Sequence, residues 1–204
     1  MIAGRDTALG KIIRYPWRRP ELQAVRFRYD RIRHMRALRR RGLVIAADVD
    51  LGVTLETVFT FGQTCSIGRG SLLALEKGRL ELGDRVLLGS YANLRAVDSF
   101  IRIGSRVQVA QFVSIIATNH RVGDNGVPLW NEHDLRPGKH GVVIGDDCWL
   151  GAGAVVLPGV ELGDRCVVGA GAVVTRSMPA GSLVVGNPAR PIDSTGGQHI
   201  TLPA

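Results

Sequence analysis

Histidine is the residue type in this sequence best suited to proton transfer, and three of the five histidines lie close together. They are His120, His133 and His140, in a glycine-containing stretch that interrupts an otherwise regular sequence. An imidazole titrates near neutral pH, so it can accept a proton from a weak nucleophile and return it within one reaction cycle. His120 lies nearest to the regular sequence, which would fix its position best. His120 is therefore the histidine that the chain positions best for chemistry, and we interpret His133 and His140 as residues of a polar surface loop.

The cysteines indicate neither a metal site nor a disulfide framework. Cys65, Cys148 and Cys166 are an odd number, and no two of them have the short spacing of a zinc motif. A metal site would have to use the three loop histidines, whereas zinc needs rigidly placed ligands. We expect no metal, although a hydratase related to carbonic anhydrase, with histidines shared between subunits, stays open as an alternative.

The regular sequence that must position these residues is a repeat of six. From Ile144 the chain reads IGDDCW, LGAGAV, VLPGVE, LGDRCV and VGAGAV, and the same template fits blocks that begin at Phe61, Leu82 and Ile103. An aliphatic residue begins nearly every block, and a small residue follows four positions later. This period is typical of a hexapeptide β-solenoid, in which about 18 residues form one triangular coil. The three cysteines occupy the small-residue position, so we interpret them as packing residues.

A basic segment precedes the repeat. Between Lys11 and Arg41 the chain has a large excess of Lys and Arg over acids, which accounts for its net charge of +8. Apolar residues recur there every three to four positions, as in an amphipathic helix: Leu22, Val25, Tyr29, Ile32, Met35 and Leu38. We expect a helix at 21–41 that caps the first coil with its arginines facing outward. Contact with acidic lipid or an anionic glycan is the alternative, and nucleic acid is not expected because no binding module accompanies the charge.

Length and composition predict one folded domain. The chain has 204 residues, of which 45% are hydrophobic. Its N-terminus is charged where a signal peptide would need an apolar segment, so we expect a cytoplasmic protein that could touch the inner face of a membrane. We divide the chain into a basic capping segment at 1–45, a solenoid at 46–192 with an insertion at 117–142, and a tail at 193–204.

Specific motifs carry a resemblance to a known family. They are Tyr91-Ala92-Asn93, the sequence TNH at 118–120, and the stretch VVIGDDCWLGAGAVVLPGVELGDRCVVGAGAVVTRSMPAG with the later GNPARPI. Together they resemble the hexapeptide-repeat acyltransferase superfamily, of the sugar O-acetyltransferase type that includes galactoside, maltose and polysaccharide acetyltransferases. The resemblance covers about residues 82–192 and is most specific from Ile144 onward. It implies a left-handed parallel β-helix, an all-β solenoid that assembles as a homotrimer with each active site between two prisms.

The same resemblance implies an activity and its residues. An acetyl group would pass from acetyl-CoA directly to a hydroxyl of a sugar or glycan precursor, with His120 as the general base and Asn93 as a second catalytic residue. Tyr91 and Asp98 match positions that contact the acceptor. The family usually has proline after this histidine, whereas Arg121 follows here.

Six further positions match the donor site of the family. The backbone N–H groups of Ala152 and Ala170 would bind the pantetheine arm of coenzyme A, and Trp149 would form a wall of the site. Thr175, Arg176 and Arg190 match positions beside the nucleotide, where a guanidinium can bind phosphate through two hydrogen bonds.

Other functions are compatible with the repeat. The alternative enzymes are an N-acyltransferase on an amino sugar and a serine acetyltransferase. A serine acetyltransferase would carry a longer helical N-terminal domain, and the lipid A acyltransferases would carry a helical C-terminal domain. A silent assembly module needs the repeat alone, and His120 and the GNPARPI segment speak against it.

Overall fold

The computed structural model describes residues 32–54 and 56–192, which form a parallel β-solenoid of about six turns preceded by a helical stretch at 32–40. Short strands with a two-residue alternation of buried and exposed side chains build its walls. The strands are β1 (Val44–Ile45), β2 (Asp50–Gly52), β3 (Val58–Phe61), β4 (Ser66–Ile67), β5 (Leu72–Ala74), β6 (Arg79–Leu82), β7 (Leu87–Leu88), β8 (Asn93–Arg95), β9 (Phe100–Ile103), β10 (Gln108–Val109), β11 (Ser114–Ile116), β12 (His120–Val122), β13 (Pro128–His133), β14 (Val142–Ile144), β15 (Trp149–Leu150), β16 (Val155–Val156), β17 (Val160–Leu162), β18 (Val167–Val168), β19 (Val173–Val174), β20 (Leu183–Val185) and β21 (Arg190–Pro191).

Three sheets form the walls of the prism. Sheet 1 has the order β1-β4-β7-β10-β15-β18-β20-β21, sheet 2 the order β19-β16-β11-β8-β5-β2, and sheet 3 the order β17-β14-β9-β6-β3. Apart from the antiparallel pair β20 and β21, their neighbouring strands pair in parallel. The chain passes from sheet 1 to sheet 2 at the first corner, to sheet 3 at the second corner, and back to sheet 1 at the third. This is the left-handed parallel β-helix that the resemblance implies.

The coils are not all of the expected length. Equivalent residues of successive coils are 18 apart in the later part of the solenoid, as in the contact of Asp146 with Asp164. In the earlier part they are 22 apart in the first pair of coils, as in the pairing of Val44 with Ser66, and then 21 apart, as in the contact of Asp84 with Ser105. The additional residues lie at the second corner, between β5 and β6 and between β8 and β9. The earlier coils therefore have a wider second corner than the hexapeptide period predicts.

Aliphatic ladders fill the prism. In sheet 2, one buried residue from each strand stacks on its neighbour: Leu51, Leu73, Leu94, Ile115, Val156 and Val174. The three cysteines are buried in the same core, and each thiol lies near a backbone carbonyl oxygen, at 3.1 Å for Cys65 to Gly83. Their interpretation as packing residues is confirmed. Burial raises the pKa of the Cys148 thiol to about 11.

The helical stretch covers the start of the solenoid with only part of its apolar stripe. Met35 and Leu38 are buried in the core, whereas Ile32 is 44% exposed, so the prediction that Ile32 faces the solenoid is wrong for this chain. The described arginines of the segment are exposed, as predicted, but two of them also contact the solenoid. The guanidinium of Arg39 donates to the carbonyl oxygen of Ile45 at 2.9 Å, and that of Arg41 lies 4.9 Å from the ring centre of Phe61.

Several expectations lie outside the described residues. Leu22, Val25 and Tyr29 of the predicted helix are among them, as is the tail at 193–204. Within the described part of the chain, no helix is long and apolar enough to cross a membrane.

Candidate active site

The insertion leaves and re-enters the solenoid at one point of the second corner. The N–H of Gly141 donates to the carbonyl oxygen of Ala117 at 2.8 Å, so the two ends of the excursion are adjacent. The buried hydroxyl of Ser99 accepts from the same N–H and donates to the same carbonyl. A side chain at Gly141 would collide with the ring of Phe100, which explains glycine at the return point. The insertion therefore spans 118–140, slightly less than predicted.

Within the insertion, β12 and β13 form an antiparallel hairpin that brings two histidines together. His120 pairs with His133 in the strand register, and their ring centres are 5.5 Å apart. The N–H of Asp134 donates to the carbonyl oxygen of Asn119 at 2.9 Å, which closes the hairpin beside this pair. His120 is exposed on the hairpin, as a general base for an external substrate must be.

Asp98 contacts the histidine that sequence reasoning left without a role. Its Oδ2 lies 2.9 Å from Nδ1 of His133, across 35 residues of sequence. The resemblance predicts that Asp98 contacts the acceptor, and the structure places its carboxylate against this imidazole. No spacing in the sequence indicated this contact, because it depends on the course of the hairpin.

His140 is turned away from the other two histidines. Its Nδ1 lies 3.4 Å from the Ser99 hydroxyl, and its ring packs edge-on against Phe100. His140 therefore anchors the end of the insertion. In the described part of the chain, no three His, Cys, Asp or Glu side chains are grouped as metal ligands are.

The turn after the hairpin is held by an ion pair. The guanidinium of Arg136 donates to both carboxylate oxygens of Asp134, at 2.7 and 2.6 Å. These hydrogen bonds lower the pKa of Asp134 to about 2. A lowered carboxyl pKa means that the pair is complete at neutral pH and is lost only as the pH falls toward 2. The turn thus keeps its charges throughout the range in which a histidine titrates.

Asn93 lies at the first corner, where β8 of sheet 2 begins. Its Oδ1 is buried and has no hydrogen-bond partner among the described residues. A buried oxygen without a donor is unfavourable. In one chain this atom is closed to solvent, so the catalytic position that the resemblance assigns to Asn93 stays a prediction.

Tyr91 forms an exposed aromatic stack at the first corner, beside Asn93. Its ring is parallel to that of Phe112, with 5.2 Å between the ring centres, and the guanidinium of Arg69 lies 5.8 Å from the Tyr91 centre. Tyr91 is 42% exposed and Phe112 is 59% exposed. Sequence reasoning missed Phe112, since the two rings meet only because the coils stack.

The predicted donor residues lie on the first corner and at the C-terminal end of the prism. Ala152 and Ala170 occupy this corner in consecutive coils, where the N–H of Gly171 donates to the carbonyl oxygen of Ala152. Beside them, a Cβ on Gly153 or Gly171 would meet no atom within 4 Å, so this strip is open. Trp149 is half-buried on sheet 1, and three exposed residues follow at the C-terminal end: Thr175, Arg176 and Arg190.

One chain therefore separates the predicted site residues into two groups. Tyr91, Asn93 and the donor strip lie at the first corner, whereas His120 and Asp98 lie at the second corner, as do the donor candidates Thr175 and Arg176 after β19. The two corners lie at opposite ends of the strands of sheet 2.

Comparison with known proteins identifies the family of the chain. WbbJ of Escherichia coli, inferred to be an O-acetyl transferase of lipopolysaccharide biosynthesis, is 33% identical over 135 residues, which cover 64% of this chain and 68% of WbbJ. The chain belongs to the hexapeptide-repeat transferase family. The sequence model of one protein family, described as bacterial transferase hexapeptide (six repeats), matches residues 141–176.

Two further proteins are similar to this hexapeptide-repeat transferase. An inferred acetyltransferase of Dictyostelium discoideum is 40% identical over 119 residues, which cover 56% of this chain and 60% of the relative, so the match leaves much of that protein unmatched. The crystal structure of a variant of AntD, an N-acyltransferase from Bacillus cereus in complex with dTDP and coenzyme A, aligns with a TM-score of 0.63 at 18% identity. That alignment covers 77% of this chain and 87% of AntD, and it supports the fold.

Proposed function

We propose that this hexapeptide-repeat transferase moves an acetyl group from acetyl-CoA to a hydroxyl of a sugar or glycan precursor, with His120 as the general base. The observation that carries the proposal is the position of His120, exposed on a hairpin whose two ends are fixed to the solenoid. The similarity to WbbJ supports oxygen as the acceptor atom.

The reaction needs a base because a sugar hydroxyl is a weak nucleophile at neutral pH. His120 takes the hydroxyl proton while the oxygen attacks the thioester carbonyl carbon. The carbon–sulfur bond then breaks, and the imidazolium returns the proton to the thiolate of coenzyme A. Asn93 orients the acceptor by accepting a hydrogen bond from a sugar hydroxyl at its unpartnered Oδ1.

The donor runs along the first corner in this proposal. The N–H groups of Ala152 and Ala170 bind the amides of the pantetheine arm, and the open strip at Gly153 and Gly171 gives it room. Thr175, Arg176 and Arg190 lie beside the nucleotide, where the two arginines supply positive charge for its phosphates. Trp149 forms the wall of the channel.

A homotrimer completes the site, since one chain holds His120 and the donor strip at opposite ends of the strands of sheet 2. The outer surfaces of the sheets support this assembly. Sheet 1 exposes apolar residues such as Val44, at 68%, and Leu87, at 48%. Sheet 3 instead carries exposed ion pairs from Glu81 to Arg79 and Arg102, as a solvent-facing wall does.

Peripheral contact with an acidic membrane from the cytoplasmic side is a further part of the proposal. The helical stretch exposes Arg33, Arg36 and Arg40 together with Ile32, a combination suited to a surface of anionic lipid. Replacing these three arginines with Gln should reduce sedimentation with phosphatidylserine vesicles, most clearly at low salt. Equal sedimentation of both proteins would remove this part of the proposal.

The experiment for the transfer reaction is thiol release from acetyl-CoA with a panel of monosaccharides, disaccharides and amino sugars, followed by mass spectrometry of the products. An O-acetyl ester is cleaved by hydroxylamine, whereas an N-acetyl amide is not, so the product distinguishes the two acceptor atoms. The His120→Ala variant should lose about 10²–10⁴-fold in rate while keeping its melting temperature, because the hairpin lies outside the core. Full activity of this variant would reject His120 as the base.

A further inference from the structure

Asp98 has a backbone that the solenoid holds in place. It lies at the widened second corner, with φ of 52°, and its N–H donates to the carbonyl oxygen of Glu76 in the preceding coil at 3.1 Å. A carboxylate on such a fixed corner can anchor a group of the hairpin, which lies outside the solenoid core. The group it contacts is Nδ1 of His133, whose side chain is only 19% exposed.

The contact defines the hydrogen-bonding state of His133. A carboxylate accepts, so Nδ1 of the imidazole carries the proton in the pair. In the neutral ring the lone pair is then on Nε2. The ring plane is fixed at the same time, because the acceptor lies close to the plane of the ring that donates to it.

His133 in turn covers the ring of His120. The two residues are direct cross-strand partners, and their rings are tilted by 31° at 5.5 Å between centres. Directly opposed side chains on an antiparallel pair lie on the same side of the hairpin. The next residues, Arg121 and Glu132, project to the other side and pair with each other at 3.0 Å. The two histidine rings therefore lie on one face of the hairpin, where Asp98 contacts them through His133. The ion pair of Arg121 with Glu132 lies on the other face.

We propose that Asp98 and His133 act as one positioning unit for His120: the carboxylate fixes the His133 ring, and that ring fixes the orientation of the His120 ring. The inference rests on the proposed function, in which His120 takes the acceptor proton. A base must lie within about 3 Å of that proton, and a displacement of about 1 Å can cost about 10²-fold in rate. A histidine on a two-stranded hairpin needs such support, and Asp98 becomes a positioning residue instead of an acceptor contact.

The test uses the full chain, acetyl-CoA and the sugar of the panel that gives the fastest thiol release. Asp98→Asn and His133→Asn should each lower kcat by about 10- to 100-fold, with KM for acetyl-CoA within about twofold of the original. Because the two residues act as one unit, the double variant should be no slower than His133→Asn alone. Glu132→Gln is the matched control in the same hairpin and should keep the original kcat.

A spectroscopic measurement makes the test independent of the acceptor. The ¹⁵N shifts of His133 in the unmodified protein should show a proton on Nδ1, and this state should be lost in Asp98→Asn. A proton found on Nε2 of His133, an unchanged kcat in Asp98→Asn, or multiplicative losses in the double variant would each overturn the positioning unit.

The outcomes also separate this inference from the proposed function. If His120→Ala is inactive and Asp98→Asn is fully active, the base stands and the positioning unit fails. If His120→Ala keeps its kcat while His133→Asn is inactive, the general base is His133, and both the assignment of His120 and the positioning unit are wrong.

Discussion

The assignment of the donor site depends most directly on two residues, Arg176 and Arg190. Both are exposed at the C-terminal end of the prism. Arg190 donates one hydrogen bond to the carbonyl oxygen of its neighbour Ala189. The remaining N–H groups of the two guanidinium groups have no partner among the described residues, so they can bind phosphate.

Replacing both arginines with Ala should raise KM for acetyl-CoA by about tenfold or more, since hydrogen bonds to charged groups contribute about 1.5–3 kcal/mol each. Steady-state kinetics with acetyl-pantetheine provide the control, because that donor has no nucleotide phosphates. The same loss with both donors would contradict the placement of the nucleotide beside these residues.

The thiol of Cys148 gives a second prediction at the residue scale. Burial raises its pKa to about 11, so the thiol stays protonated and unreactive at neutral pH and becomes a thiolate only near that value. Cys65 and Cys166 are buried equally well. With Ellman's reagent at pH 8, we expect no reaction in the folded protein and three thiols per chain in guanidinium chloride. A thiol that reacts rapidly before unfolding would show that the core is open at that coil.

The helical stretch is the element with the clearest prediction, because its apolar residues differ in burial. Leu38→Asp places a charge in the core and should destabilise the fold by several kcal/mol, whereas Ile32→Asp should change the melting temperature little. Thermal unfolding followed by circular dichroism compares the two. If both variants unfolded at the same lowered temperature, Ile32 would be buried by another part of the chain or by a partner.

Arginines of the same element divide in a similar way. Arg39 and Arg40 are both exposed, but Arg39 donates to the Ile45 carbonyl oxygen, whereas Arg40 has no side-chain hydrogen bond to the described residues. Arg39→Gln should therefore lower the melting temperature measurably and Arg40→Gln should not. This difference would separate the structural arginines of the cap from those available to a membrane.

At the scale of the whole molecule, the assembly of several chains decides which residues share one active site. If each active site takes His120 from one chain and the donor strip from its neighbour, two inactive variants can complement each other. His120→Ala chains and Ala170→Trp chains, in which a bulky side chain fills the open donor strip, are refolded together in equal amounts. The mixture should recover about a quarter of the original activity, since random mixing leaves that share of interfaces intact.

The separate variants refolded alone are the controls for this experiment, and analytical ultracentrifugation gives the mass of the mixed particle. A mixture no more active than its components would place His120 and the donor strip of one site in the same chain.

The sequence by itself determined the solenoid, because a hexapeptide repeat states at every sixth position which side chain points into the prism. It therefore predicted the buried role of Cys65, Cys148 and Cys166, the stacking of Ala152 above Ala170, and the place where the insertion leaves the coils. These features are local: each follows from residues within one coil or one coil apart, and parallel pairing extends them along the axis.

Only the tertiary structure decided what the insertion does. The contact of Asp98 with His133 depends on the register of β12 with β13, and no period in the sequence fixes that register. The stack of Tyr91 on Phe112 likewise required the true coil length, which the widened second corner changes from 18 to 21 residues. A six-residue pattern encodes which side faces the core, whereas contacts between outward-facing side chains are set by corner width and loop course, which that pattern does not contain.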